Sequence, residues 1–372
     1  MSNQYRTSNS KGLINKEKII NFTFNGNSYQ GYEGDTLASA LIANGVHLVG
    51  RSFKYHRPRG FLGAGVEEPN AMVQLHEGDR SEPNIMATEV ELVEGLKAKS
   101  QNCWPSVKFD IGEINNLLNR FFPAGFYYKT FMWPKSFWFK VYEPIIRKAA
   151  GMGVAPLSPD PDRYEHNYEH CDVLVVGSGP SGLSSALAAA KNGARVILAE
   201  DKAHFGGSLL NDDVTIGNMS GREWASDVIS QLKSMPNVIV KNRSQVFGYY
   251  DHNMTVMFER VSDHVENPSK YTPRQRLHYI RAGEVIVSTG SIERPISFGN
   301  NDRPGIFLSS AAREYMKVYE TLIGKKPIIF TNNDSAYATA LEFLKNDIKP
   351  IIVDTRDSSE GQLVKEVQDH GI

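Results

Sequence analysis

Asp172–Asp201 reads DVLVVGSGPSGLSSALAAAKNGARVILAED, and each part of that run has a task in one strand–turn–helix–strand unit. Val173–Val176 is an apolar run too short for a helix and suited to a buried parallel strand. It enters Gly177-Ser178-Gly179-Pro180-Ser181-Gly182, the G-x-G-x-x-G spacing. An alanine-rich helix is predicted over Leu183–Lys191 with Gly193 as its cap, then a second strand, Arg195–Ala199, ending at Glu200 and Asp201. In such a unit the first glycine permits the tight turn, the second lets the backbone approach a pyrophosphate, and the third lets helix and strand pack closely. The free N–H groups and the positive end of the helix dipole then face the phosphates. Glu200, about twenty residues beyond the glycines, is placed to accept hydrogen bonds from an adenosine ribose. That acid points to NAD or FAD rather than NADP and does not separate the two.

Downstream, Phe205-Gly206-Gly207-Ser208 is a second small-residue turn, expected to pass close to the same nucleotide. Glu223–Ser234 reads as a helix, Val238–Val240 as a strand, and Tyr249–Phe258 as a hairpin turned at Asp251–Asn253. The chain returns to the sheet at Glu284–Gly290, whose STG end resembles the strand end of two-dinucleotide-binding flavoproteins. From about residue 325 a nested second βαβ unit is predicted: strand Lys326–Phe330, helix Ala336–Lys345, strand Pro350–Asp354. Its turn, Thr331–Ser335, contains no glycine, so a structural role is expected. The fold class that follows is α/β, a Rossmann-like two-dinucleotide-binding domain over residues 166–372. Its return strands are missing, so the chain reads as the N-terminal part of a longer polypeptide.

At 372 residues the chain has room for two or three domains. A formal net charge of −1 gives no reason to expect nucleic acid or a membrane surface. No run approaches the ~20 apolar residues of a membrane helix, and Met1–Lys18 lacks the apolar core of a secretory signal. Cys103 and Cys171 lie far apart in no metal-ligand spacing, so a reducing, cytoplasmic setting is expected.

Residues 1–16 are polar and read as a loose arm. Over 17–100, Ile19–Phe24 alternates as a strand, Asn25–Asn27 turns a hairpin and Ser28–Tyr32 pairs back. Asp35 is expected to cap a helix over Thr36–Asn44, and Met86–Val93 reads as another strand. This opening resembles the small α+β ferredoxin-like domain at the start of several amine and amino-acid oxidising complexes. In cluster-binding relatives the part after the basic loop Gly50–Gly60 holds the cysteines of a [2Fe–2S] centre. Such a cluster needs four thiolates, and Phe61–Leu75 offers none. Glu67, Glu68 and Asn70 are hard oxygen groups, poorly matched to an iron–sulfide core. A domain without its iron–sulfur cluster is therefore expected, with Phe61, Leu62 and Met72 filling the space. The loop basic residues Arg51, Lys54, His56, Arg57 and Arg59 suit either a phosphate or acidic partner, or a solvated loop with internal salt bridges. Residues 101–165 form a linker containing the aromatic run Phe121–Phe139, read either as packing between domains or as a docking surface for another subunit. Its prolines and lysines exclude a membrane span.

The segments RSFKYHRPRG, EEPNA, FFPAGFYYKTFMWP, DPDRYEH, GSGPSG, STGSIERP, NDRPGIFLSSA and FTNND together resemble the α subunit of heterotetrameric sarcosine oxidase. The resemblance implies a subunit of an enzyme that oxidatively demethylates sarcosine to glycine, assembled with β, γ and δ subunits. It implies NAD in this Rossmann domain, an FMN shared at the contact with β, and FAD with the amine-oxidising site left to β. The family's tetrahydrofolate site lies in a C-terminal aminomethyltransferase-like domain that this sequence does not contain. Carried over by motif position, Gly177, Gly179, Pro180, Ser181 and Gly182 contact the phosphates, and Glu200, Asp201 and Lys202 surround the ribose. Gly207 and Ser208 form the following turn, Val246 begins the strand whose backbone lines the adenine, and Thr289 and Gly290 close the site. The residues themselves offer no acid–base pair, nucleophile or metal cluster, so no catalytic residue is expected in this chain, and His56 and His204 are expected at the surface. The alternative reading is an FAD-dependent dehydrogenase of the opine type with the first domain as electron relay, which the missing cysteines disfavour.

Overall fold

A computed structural model describes residues 4–8, 11–121, 125, 131–150 and 153–372. The first domain is built on a five-stranded sheet in the order Asn27–Glu33, Asn15–Phe24, Leu96–Ser100, Met72–Leu75, Glu82–Met86. The first two strands form the expected antiparallel hairpin. Its turn holds Asn25 and Gly26 at φ 51° and 76°, the two left-handed positions that match the twist of the flanking strands.

Helix Leu37–Ala43 is buried along its whole length. Its cap is Thr36 rather than Asp35: the Thr36 hydroxyl accepts from Ser39 N–H at 3.1 Å. Asp35 is buried and instead receives the Ser39 hydroxyl at 2.6 Å and the Arg6 guanidinium at 2.7 and 3.0 Å. The expected strand at Met86–Val93 is also corrected. The ladder stops at Met86, because the carbonyls of Ala87 and Val90 accept from Ala38 and Leu37 N–H at the helix start. These carbonyls satisfy helix-end donors that have no partner within the helix.

The N-terminal arm is fixed where it is described. Tyr5 N–H donates to Ala43 at 2.7 Å and Thr7 N–H to Glu320 at 2.8 Å. Arg6 spans the buried Asp35 and the carbonyl of Tyr319, the latter at 2.8 Å, and so ties the first domain to the segment around residue 320. Polar composition suggests looseness, but one arginine between two distant partners overrides it.

The second domain carries a six-stranded sheet in the order Val238–Lys241, Val196–Ala199, Tyr164–Val176, Gln275–Val287, Met254–Arg260, Ser244–Tyr250. The first four strands are parallel, Met254–Arg260 runs antiparallel to them, and Ser244–Tyr250 pairs antiparallel with Met254–Arg260. The strand leading to the glycines is 13 residues long rather than four. Its first part pairs in register with Gln275–Arg281, and its alternating polar residues conceal it in the sequence. Helices Pro180–Lys191 and Gly221–Ser234 cover this sheet through Leu183, Ala186, Val228 and Leu232 against Val175 and Leu198.

Ile328–Thr331 and Ile351–Asp354 form a separate parallel pair. Helices Tyr337–Lys345 and Gln362–Asp369 pack with Ile329 and Ile352 on one face, while Ile328, Phe330, Ile351 and Val353 are exposed on the other. Helix Ser309–Lys317 inserts Tyr315 and Ala311 into the core of the first domain, and Arg243 clamps Glu91 at 2.5 and 2.7 Å across the same boundary.

Of the aromatic run, residues 122–124 and 126–130 lie outside the described residues. Trp133 and Phe139 are 83% and 80% exposed, so the described part faces solvent rather than packing between domains. Among the described residues, no helix is long and apolar enough to cross a membrane.

Candidate nucleotide site

Strand Tyr164–Val176 delivers Gly177 to the C-terminal edge of the parallel sheet, beside the end of strand Gln275–Val287. Gly177 has φ +97°, and a Cβ there would lie 2.4 Å from the Ser288 carbonyl oxygen. A Cβ at Gly182 would lie 1.9 Å from the carbonyl oxygen of Gly177, which is why helix and strand can touch only through glycine. Gly179 differs: its φ is −66°, and an added Cβ would meet nothing within 4 Å. The backbone at Gly179 therefore faces open space in front of the helix.

That helix begins with Pro180, which has no N–H to leave unpaired. The N–H groups of Ser181 and Gly182 in its first turn have no intrahelical acceptor, and they share this end with the positive pole of the helix dipole. Pro180 and Ser181 are exposed. The Phe205–Ser208 turn lies directly on this loop: a Cβ at Gly207 would stand 2.9 Å from Gly179 Cα, and Gly206 N–H donates to the Ser178 hydroxyl at 3.1 Å. Gly206 and Gly207, at φ 130° and 53°, make that close approach possible.

Glu200 is buried, and its carboxyl is wired into the loop. One oxygen accepts from Ser178 N–H at 2.9 Å and the Ser178 hydroxyl at 2.5 Å; the other accepts from Lys202 N–H at 3.1 Å. Burial, reinforced by neighbouring Asp201, pushes its pKa up to about 8. The Lys202 ammonium turns to Glu314 at 2.5 Å; burial alone lowers its pKa, but the carboxylate outweighs it and the net shift is upward. The Asp201 carbonyl accepts from Arg260 at 2.6 Å. Val246 is half-buried in the antiparallel flank opposite Met257. Ser208, Thr289 and Gly290 are exposed around the mouth of the loop, with Gly290 at φ +72°. The structure thus gathers the glycines, Ser181, Glu200, Gly207, Ser208, Thr289 and Gly290 at one sheet edge. Val246 stands to its side, and the side chain of Lys202 is drawn toward helix Ser309–Lys317. Sequence reasoning passed over Ser178, a spacer in the motif that proves to anchor both Glu200 and Gly206.

Arg51, Arg57, Arg59 and His56, also singled out in the sequence, are internally paired. Arg51 is buried and donates to Val107, His56 and Glu113. Arg57 grips Asp302 at 2.7 Å through two nitrogens, and Arg59 joins the same carboxylate. His56 is buried against Asp110 at 2.6 Å rather than lying at the surface, and His204, half-buried, has its pKa lowered by burial. These partners match the salt-bridged reading of the basic loop. Among the described residues, no group of three or more His, Cys, Asp or Glu could hold a metal ion.

Residues 17–103 match a family described as a 2Fe-2S iron-sulfur cluster binding domain, and residues 172–243 match the FAD dependent oxidoreductase family. The chain is 51% identical over 350 residues to the sarcosine oxidase subunit alpha of Rhizobium meliloti (strain 1021), covering 94% of this chain and 36% of that protein. It is 32% identical to the sarcosine oxidase subunit alpha of Corynebacterium sp. (strain U-96), covering 96% of this chain and 32% of that protein. The chain thus spans about a third of the length of the curated relatives it matches. Among solved structures, L-proline dehydrogenase from P. horikoshii superposes with a TM-score of 0.62 at 19% identity, over 97% of this chain and 57% of that one, a likeness of fold.

Proposed function

From a chain homologous over 94% of its length to sarcosine oxidase α subunits, we propose the dinucleotide-holding part of such a subunit, with NAD on the glycine loop. The observation that carries this reading is the contrast between Gly182, where no side chain fits, and Gly179, where the backbone faces open space at a helix N-terminus. The residues fit the group. The first-turn N–H groups of Ser181 and Gly182 would hold the pyrophosphate, Glu200 with Asp201 would meet the ribose, Val246 would border the adenine, and Thr289 and Gly290 would close the mouth. NAD, when bound, supplies a hydride-accepting nicotinamide; the chain's own residues bind and orient it, and none is assigned a proton transfer.

In this proposal the amine-oxidising centre and its FAD belong to the β subunit, an FMN lies at the α–β contact, and γ and δ complete the complex. The chain alone would not oxidise sarcosine, and the assembled complex would couple that oxidation to tetrahydrofolate. The first domain is proposed to act without an iron–sulfur cluster. A second reading, FAD on the same loop, is favoured by the oxidoreductase family matched at residues 172–243. The visible spectrum of the purified chain tests the choice: a colourless protein with adenine absorbance supports NAD, and flavin bands support the second reading.

A further inference from the structure

The loop following the basic segment is organised around a single carboxylate. Glu68 is 3% exposed. One of its oxygens accepts from the N–H groups of Leu62 and Gly63 at 2.6 and 2.8 Å, and the other from Asn70 and Ala71 at 2.6 and 3.1 Å. Next to it, Glu67 accepts from Ala64 and Gly65 at 2.7 and 3.1 Å. Backbone N–H groups converging in this way make an anion-binding nest, an arrangement also found around iron–sulfur centres. Burying a bare carboxylate is costly; charge-assisted bonds to four N–H donors offset part of that cost, and burial still raises the pKa of Glu68. Phe61 and Leu62 pack into the core at this loop as expected, and Glu68 gathers the loop's own N–H groups.

The residues do not fit a cluster. A [2Fe–2S] centre takes four thiolates, whereas the chain has two cysteines and only Cys103 falls within the matched 17–103 span. The converging N–H groups, moreover, already have an anion. We propose that the Glu68 carboxylate replaces an iron–sulfur centre as the anionic hub of this domain, turning a redox fold into a rigid clamp on the nucleotide domain. The loop it shapes presents two carbonyls outward. Gly63 accepts from the Tyr315 hydroxyl at 2.8 Å and Leu62 from Leu308 N–H at 2.8 Å. Helix Ser309–Lys317, seated on those carbonyls, carries the Glu314 that pairs with Lys202 of the nucleotide domain. The inference does not depend on which nucleotide that loop holds.

The test uses the full chain and thermal unfolding. Glu68→Gln keeps the size but turns an NH2 group toward N–H donors, and is expected to lower Tm by about 5–10 °C. Glu67→Gln, whose group caps two N–H groups at the loop's edge, is expected to lower it far less. Glu68→Ala should lose at least as much as Glu68→Gln. Added formate should restore part of that loss, and formamide at the same concentration and ionic strength should not. A Glu68→Gln variant as stable as the native chain would overturn the hub, as would equal losses at Glu67 and Glu68 or equal rescue by formamide. Should the alanine variant fail to fold, the two glutamine variants still decide. Anaerobic reconstitution of the native chain with iron and sulfide is expected to leave it free of both; stoichiometric incorporation would overturn the replacement.

Discussion

Two single-methyl substitutions in the glycine loop should separate folding from nucleotide binding. In Gly182→Ala the new Cβ lies 1.9 Å from the Gly177 carbonyl oxygen and 3.0 Å from its carbon. That carbonyl has little room to retreat. Gly177 N–H is bonded to Ala199 at 2.8 Å, and the other side of Gly177 rests on Ser288. The helix must move outward by about 1 Å or more, an overpacking cost of about 3 kcal/mol, the upper part of the usual range. At about 2–4 °C per kcal/mol for a domain of this size, Tm should fall by about 6–12 °C. In Gly179→Ala the methyl meets nothing within 4 Å and φ is −66°. Removing glycine's freedom from the unfolded chain is then worth about 0.4–1 kcal/mol in favour of the fold. Tm should hold or rise slightly, while the methyl stands in the path of the pyrophosphate and the co-purified nucleotide falls about tenfold or more, the loss that ~1.4 kcal/mol of binding represents. Calorimetry together with quantified acid-released nucleotide reads both effects. A native Tm for Gly182→Ala, or native nucleotide content for Gly179→Ala, would refute the reasoning.

Three further outcomes are expected. Glu200→Ala removes the acceptor of both Ser178 bonds and should cost about 1–3 kcal/mol of stability, the range for leaving buried donors unpaired; it should reduce retained nucleotide less than Gly179→Ala does, and the reverse order would count against the assignment of the two residues. His278 is fully buried between Glu169 and Glu259 at 2.8 and 2.7 Å. Burial lowers its pKa, but the bonds to both carboxylates outweigh that and the net shift is upward. Its stabilisation is therefore complete below the unfolded value of ~6.5 and is lost as pH rises through the higher folded value. Tm measured across that range should decline more steeply for the native chain than for His278→Gln, and parallel profiles would show the imidazolium to be irrelevant. The bare face of the two-stranded unit, with Ile328 67% and Ile351 61% exposed, should make the isolated chain prone to association. Light scattering should fall in the double variant Ile328→Lys/Ile351→Lys with Tm unchanged; a lowered Tm would mean that these side chains support the fold.

The parts of this protein legible in the sequence are those fixed by local chemistry. The Gly177–Gly182 spacing, the Asn25-Gly26 turn and the βαβ order each follow from backbone sterics and hydrophobic period, and the structure places them as read. What was hidden depends on partners distant in sequence. The length of strand Tyr164–Val176 is invisible because its outer half alternates polar residues that pair with Gln275–Arg281. The described part of the arm is held because Arg6 finds Asp35, and that same partnership leaves the helix cap to Thr36. His56 looks like a loop histidine until Asp110 closes over it. At the site, the glycines and Glu200 were readable from spacing. Ser178 was not, since a motif spacer shows its two anchoring bonds only when the strands are side by side. Glu68 was recognised as an unsuitable iron ligand, but its four N–H partners appear only once the loop is folded.

The central claim, that the glycine loop of this chain holds NAD, is tested most directly by what the protein carries. The purified chain, or the complex containing it, is denatured, and the released small molecules are separated and identified by mass spectrometry. The account predicts NAD in near-stoichiometric amount from the native chain and its loss from Gly179→Ala. Recovery of FAD as the nucleotide lost on that substitution, or of no dinucleotide from a folded native chain, would contradict it.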